Sequence, residues 1–291
     1  MELIYSQMPD SYVMYKMSDL HLGEFNCHMA GIQEVVDEVA SKKNHFLING
    51  GDSIAAILPN DKRWNSLGAD LKNQLLTPKQ QADAVIEIYR PAAKQGKIKA
   101  IGFGNHEYKL INTMDFGKYI AESLNVPYGG ITYKFCALDR SGNLMHKFYY
   151  THGNGCLPKG AKDPIQRKAN IKAAIRRKLE NTLISDCIVM SFGHTHQLEV
   201  VEPTVNDALY ITDDGENHRQ HYQVAADQNA DYIPPDSRWY TNTGSFRKLY
   251  APSGSHVIDY GEAAMYGPTE LGCIKITVED RKVVKVEKRK V

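Results

Sequence analysis

Five short polar clusters, each placed directly after an apolar run, constrain what this chain can fold into more than any other feature. Tyr12–Met17 runs into Ser18-Asp19-Leu20-His21-Leu22-Gly23, His45–Asn49 into Gly50-Gly51-Asp52, and Ile98–Phe103 into Gly104-Asn105-His106-Glu107. Further on, a run ending at Thr151 meets His152-Gly153, and Cys187–Phe192 meets Gly193-His194-Thr195-His196. Between the first runs the spacing of Ile32, Val35, Val36 and Val39 predicts a helix, and a second is predicted over Gln80–Gln95 with Ala84, Ile88 and Ala92 inward. Short apolar runs alternating with helices are the βαβ pattern of a layered α/β protein. In such sheets the loops beyond the carboxyl ends of the strands converge. Asp19, His21, Asp52, Asn105, His106, His152, His194 and His196 can therefore meet in space although the chain separates them widely.

The second half predicts a hairpin from Tyr133–Leu138 and Met145–Thr151, a basic helix over 164–183, and a closing hairpin from Gly272–Val278 and Lys282–Lys288. Polar, turn-rich residues 53–80 and 203–238 read as insertions on one domain spanning 1–291. The 42% hydrophobic and 24% charged residues are those of a globular protein. A net charge of +1 argues against holding nucleic acid by bulk electrostatics alone. The five cysteines form no C-x-x-C pair, so a thiolate zinc site is not indicated. The opening MELIYSQMPD lacks a signal-like apolar stretch, and no run of about 18 apolar residues exists to span a membrane. A cytoplasmic protein is the expectation.

Imidazoles and carboxylates without thiolates suit Mn, Fe, Zn or Ni, with Mg less matched to the nitrogens. Asp19, His21, Asp52, Asn105, His152, His194 and His196 exceed what one tetrahedral zinc needs. With one bridging carboxylate they divide between two ions about 3.5–4 Å apart, the spacing of two-metal phosphoryl chemistry. Such a pair activates a shared hydroxide for attack on phosphorus, so phosphate-ester hydrolysis is the expected reaction.

These residues match a known pattern. Ser-Asp-Leu-His-Leu-Gly (18–23), Gly-Asp (51–52), Gly-Asn-His-Glu (104–107), Thr-His-Gly (151–153) and Gly-His-Thr-His (193–196) resemble the five blocks of the calcineurin-like metallophosphoesterases. Asn242-Thr243-Gly244-Ser245 resembles the strand-turn segment that often follows them. The resemblance implies a four-layer αββα sandwich of two mixed β-sheets flanked by helices. It implies that Asp19, His21 and His196 hold one metal, that Asn105, His152 and His194 hold another, and that Asp52 bridges. It places His106 toward the substrate, where an imidazole beside two cations can protonate a leaving alkoxide.

Protein Ser/Thr phosphatases of this superfamily carry G-D-x-x-D-R-G, but here Ala55 and Ala56 stand at the acidic and arginine positions. That branch is disfavoured. A phosphodiesterase acting on nucleotides or nucleic acid is the expected function, with a nuclease among the candidates. A phosphomonoesterase or pyrophosphohydrolase on a small nucleotide or lipid precursor is the alternative, and a non-catalytic scaffold of the same fold the third. Lys159 and Lys162, in the loop after His152, are candidate phosphate contacts. Lys168, Lys172 and Arg176 share a face of the basic helix that could steer phosphates, opposite an apolar stripe of Ile171, Ile175 and Leu179. A protein partner is not legible.

Overall fold

In the computed structural model, residues 1–58, 75–158, 160–204, 209–222, 227–250 and 260–291 are described. The first six-stranded sheet contains β2 (Tyr12–Met17), β3 (His45–Asn49), β4 (Ile98–Gly102), β5 (Tyr128–Gly130), β13 (Gly272–Glu279) and β14 (Lys282–Lys290), in the order β14-β13-β2-β3-β4-β5. The second contains β1 (Glu2–Gln7), β6 (Thr132–Leu138), β7 (Leu144–Thr151), β8 (Val189–Phe192), β9 (Leu198–Val201) and β12 (Trp239–Thr243), in the order β1-β6-β7-β8-β12-β9. Both are mixed: β2, β3 and β4 run parallel while β13 is antiparallel to β2, and β7, β8 and β12 run parallel while β9 is antiparallel to β12.

Three apolar clusters mark three interfaces between four layers. Tyr15, Met17, Leu47 and Ile101 pack against helices α1 (Met29–Ser41), α2 (Pro78–Ala93) and α4 (Phe116–Leu124). Tyr12, Met14, Ile48 and Ile276 meet Phe135, Phe148, Tyr150 and Val189 between the sheets. Tyr149, Met190, Phe192 and Tyr240 cover α5 (Pro164–Glu180) through Ala174, Ile175 and Leu179. Strand β2 serves two of these interfaces because successive side chains point to opposite faces. The architecture is an αββα sandwich of two mixed sheets flanked by helices, as the resemblance implied.

The expected stripe of α1 is buried, and so are Ile175 and Leu179 on α5. The expected inward face of α2 is corrected. Its buried residues are Gln81, Ala82, Val85, Ile86, Tyr89 and Ala92, while Ala84 and Ile88 are only partly covered. Val85, Ile86 and Tyr89 bury more apolar surface than an alanine-centred stripe, so the helix turns that side to the core. It also begins earlier than expected, where Thr77 and Gln80 form a capping box. Within 203–238, β10 (Leu209–Asp213) and β11 (His218–Tyr222) pair as a separate hairpin, yet Ile233 and Arg238 are buried in the body. Residues 59–74 of the other expected insertion lie outside the described residues. No described helix is long and apolar enough to cross a membrane.

Two polar side chains outside the motif blocks, Lys16 and His146, are buried between the sheets. Lys16 places its ammonium 3.0 Å from Ser191 Oγ and over the Phe148 ring, and burial lowers its pKa to about 7. His146 lies 2.6 Å from the Tyr12 hydroxyl through Nε2 and 3.0 Å from the Arg281 carbonyl through Nδ1. The tyrosine hydroxyl donates to one nitrogen and the other donates to the carbonyl, which satisfies a neutral ring. Burial holds the His146 pKa down at about 4. An unfolded histidine titrates at about 6.5, so the stability gained from keeping this ring neutral is complete above that pH and lost as pH falls through about 4. The whole contribution is roughly 3 kcal/mol. Denaturant titrations at pH 7 and 4.5 should therefore show the wild type losing roughly 2–3 kcal/mol more than His146→Gln. An equal loss in both proteins would show that His146 does not set the acid limb.

Candidate metal centre

Each motif block follows the carboxyl end of a strand, three in the first sheet and two in the second. Asp19 and His21 follow β2, Asp52 follows β3, Asn105 and His106 open the short helix α3 (Asn105–Tyr108) after β4, His152 follows β7, and His194 and His196 follow β8. Five of these residues adopt left-handed backbone: Asp19 (φ 55°), His21 (54°), Asp52 (48°), His194 (66°) and His196 (56°). For non-glycine residues this costs of order 1–3 kcal/mol each and must be imposed by surrounding bonds. Those bonds are present: Asp19 N–H donates to Gly51 O at 2.9 Å, His21 N–H to Asp52 O at 3.1 Å, and His194 N–H to both Asp19 carboxylate oxygens at 3.1 Å.

The bend after β8 is made by the two histidines, and Gly193 serves for close approach. A Cβ there would stand 2.7 Å from Ser18 Oγ and 2.8 Å from Asp19 Oδ2. Gly104 is small for the same reason, since a Cβ would meet Asp52 Oδ1 at 2.2 Å.

Two braces, whose partners lie in other segments of the chain, hold the loops. Glu107 is buried and accepts from the backbone N–H groups of Gly104 (2.9 Å), Asp52 (3.0 Å), Ser53 (2.6 Å) and Ile54 (3.3 Å). It ties the loop after β3 to the loop after β4. The Asn242–Ser245 segment supplies the second brace. Asn242 Nδ2 donates to Gly193 O and Thr195 Oγ1, while Ser245 Oγ donates to Asp19 O at 3.0 Å.

The side chains converge in three overlapping groups, each with its nitrogen and oxygen atoms within 4.8 Å of one another: Asp19, His21 and His196; His21, Asp52 and His106; Asp52, His152 and His194. His196 Nε2 lies 3.3 Å from Asp19 Oδ1 and 3.1 Å from His21 Nε2. His152 Nε2 lies 3.1 Å from Asp52 Oδ2 and 3.1 Å from Asn105 Oδ1, which is 2.5 Å from His194 Nδ1. Asp52 is shared by two groups. His106 has its backbone N–H on Asp52 Oδ1 at 2.8 Å, and its Nδ1 is 2.5 Å from the Ala55 carbonyl. Its ring stands edge-on to His21, with centroids 4.6 Å apart. The alanine that replaces the acidic position thus meets His106 through its backbone.

Electrostatically the centre calls for cations. Burial alone would raise the Asp52 carboxyl, but His152 and His106 beside it hold it well below the usual carboxylate range. Burial would lower His152, yet Asp52 lifts it to about 9. Asp19 follows the same pattern: burial opposes its charge, and His196 and His152 hold its pKa down. Buried carboxylates must be paired or bound to metal, and the raised His152 imidazole here supplies positive charge that a divalent ion would bring. The donor set, nitrogen and oxygen atoms converging without thiolate, fits such ions.

The remaining expected contacts do not converge. Lys162 is exposed in the turn before α5, and Lys159 lies outside the described residues. On α5, Arg176 is engaged by Glu180 (2.6 Å) and Asp236, and Lys172 approaches Glu199 at 3.9 Å, so two of the three basic-face residues are partnered within the protein. Cys156 is exposed and free.

No protein-family model and no curated protein matches the sequence. Among solved structures, a metallophosphoesterase from Sphaerobacter thermophilus is similar at 13% identity and a TM-score of 0.39, over 96% of this chain and 88% of that one. The NAD nucleotidase of Haemophilus influenzae is similar at 11% identity and a TM-score of 0.39, over 97% of this chain but only 50% of the nucleotidase. In its motif blocks and its pair of six-stranded sheets, this chain is similar to the calcineurin-like metallophosphoesterases.

Proposed function

We propose that this protein is a dinuclear metal-dependent phosphoesterase acting on phosphodiesters, with nucleotides or nucleic acid as the substrate class. The observation that carries this reading is the division of the cluster. Asp19, His21 and His196 gather on one side, and His152, His194 and Asn105 on the other, with Asp52 belonging to the middle. The first three would hold one ion, the second three another, and Asp52 both. Bound there, two divalent ions, manganese foremost, with Fe, Zn, Ni or Mg as alternatives, supply Lewis acidity at phosphoryl oxygens and lower the pKa of a water from 15.7 to about 7.

The chain's own residues complete the chemistry. The Ala55 carbonyl orients His106 through Nδ1, and Nε2 would give a proton to the departing alkoxide. Glu107 fixes the loops that carry Asp52 and His106, so the two move as one unit. Because both halves of the chain contribute ligands, they act as a single domain in this reading.

The test is hydrolysis of bis-p-nitrophenyl phosphate, p-nitrophenyl phosphate, cyclic nucleotides, and single- and double-stranded DNA, with added manganese and with chelator. Chelator-sensitive activity highest on the diesters supports the proposal. Activity confined to p-nitrophenyl phosphate would transfer the assignment to a monoesterase or pyrophosphohydrolase. Metal binding without turnover of any ester would indicate a scaffold.

A further inference from the structure

Glu24 lies three residues after His21, belongs to none of the motif blocks, and is 8% exposed. Its Oε1 is 3.5 Å from His21 Nδ1, a buried nitrogen without a hydrogen bond of normal length, and its Oε2 accepts from Arg247 Nε. The other edge of the same ring points the opposite way, with Nε2 3.1 Å from His196 Nε2 and 4.0 Å from Asp19 Oδ1. The ring is thus placed with one nitrogen in the cluster and the other against a buried carboxylate.

The carboxylate is itself held. The Glu24 N–H donates to His21 O at 3.1 Å, closing a turn that returns the side chain to the ring. Arg247 comes from the segment after β12, where its N–H donates to Ser245 Oγ at 3.1 Å, and Ser245 in turn holds the Asp19 carbonyl. One bonded path therefore runs from Asp19 through Ser245, Arg247 and Glu24 to His21, across more than two hundred residues of sequence.

We propose that Glu24, anchored by Arg247, is a positioning residue for His21: it keeps the imidazole proton on Nδ1 and the lone pair on Nε2 aimed into the first cation site. A neutral imidazole binds a cation only through its unprotonated nitrogen, and an anionic acceptor behind the ring raises the donor strength of that nitrogen. The proposal rests on the metal reading above for the site's occupant, but its geometric part does not.

Glu24→Gln and Glu24→Ala provide the test, with circular dichroism confirming that both fold. In metal-free protein at pH 8.5, long-range proton–nitrogen spectra should show His21 protonated on Nδ1 in the wild type and a mixture of tautomers in Glu24→Ala. In manganese titrations followed by calorimetry, Glu24→Ala should weaken one site by about 10–100-fold and leave the other unchanged, with Glu24→Gln falling between. Unchanged tautomer and unchanged affinities would overturn the proposal. Equal weakening of both sites would also overturn it, since Glu24 would then support the loops generally. If the wild type bound no metal, the proposed function would fail, and the tautomer measurement would still decide the role of Glu24.

Discussion

With two cations bound as proposed, Asp52→Asn is expected to release both together. Asp52 is the carboxylate shared between groups, with Oδ1 accepting the His106 backbone N–H at 2.8 Å and Oδ2 facing His152 Nε2 at 3.1 Å. Asparagine retains an oxygen for the His106 N–H, so the loop after β4 keeps its anchor. It replaces the other oxygen with an amide nitrogen that cannot ligate, and it removes the negative charge that the proposed bridge would bring to both sites. Loss of a partner one shell further out already costs about 10–100-fold in metal affinity, so both dissociation constants should rise by at least about 100-fold. Asp19→Asn provides the contrast, because Asp19 belongs to one group only and should weaken the first site more than the second. Calorimetric titration and metal analysis after dialysis separate the cases. One ion retained by Asp52→Asn at wild-type affinity would show that the carboxylate does not bridge.

His106→Asn should leave metal content near normal and cut activity according to the leaving group. The histidine ring is fixed by the Ala55 carbonyl at Nδ1, and in the proposed mechanism the proton passes from Nε2. With a poor alkoxide leaving group the rate should fall by roughly 10²–10⁴, the usual worth of general acid catalysis. With p-nitrophenolate it should fall much less, because that anion departs without a proton. An equal fall on both substrates would assign His106 to stabilising charge on the phosphoryl group. Loss of metal together with activity would make it a ligand, a role its place in a group with His21 and Asp52 leaves geometrically open.

How much of this was legible beforehand follows from the range of the forces involved. The stripe of α1, the strands β2, β3, β4 and β8 and the glycine-flanked blocks after them are local patterns. Apolar periodicity and turn chemistry act between near neighbours, so these are read directly from the residues. The convergence of the blocks follows from one general rule about parallel strands, and the structure gathers Asp19, His21, Asp52, Asn105, His106, His152, His194 and His196 as that rule requires.

Strands β1, β5 and β9 were not legible. In β1 only Ile4 is fully buried, and β5 has three residues, so neither carries a periodic signal; pairing with neighbours makes them strands. The inward face of α2, the left-handed backbone of His194 and His196, and the buried ammonium of Lys16 beside Ser191 belong to the same class. So do the braces of the site. Glu107 gathers backbone donors from a second loop, and Glu24 meets Arg247 from the far end of the chain. Each is fixed by a contact between segments distant in sequence, whose energy exists only once the sheets have packed. A buried charge or a strained dihedral is costly alone and is tolerated only where folding brings its partner within bonding distance.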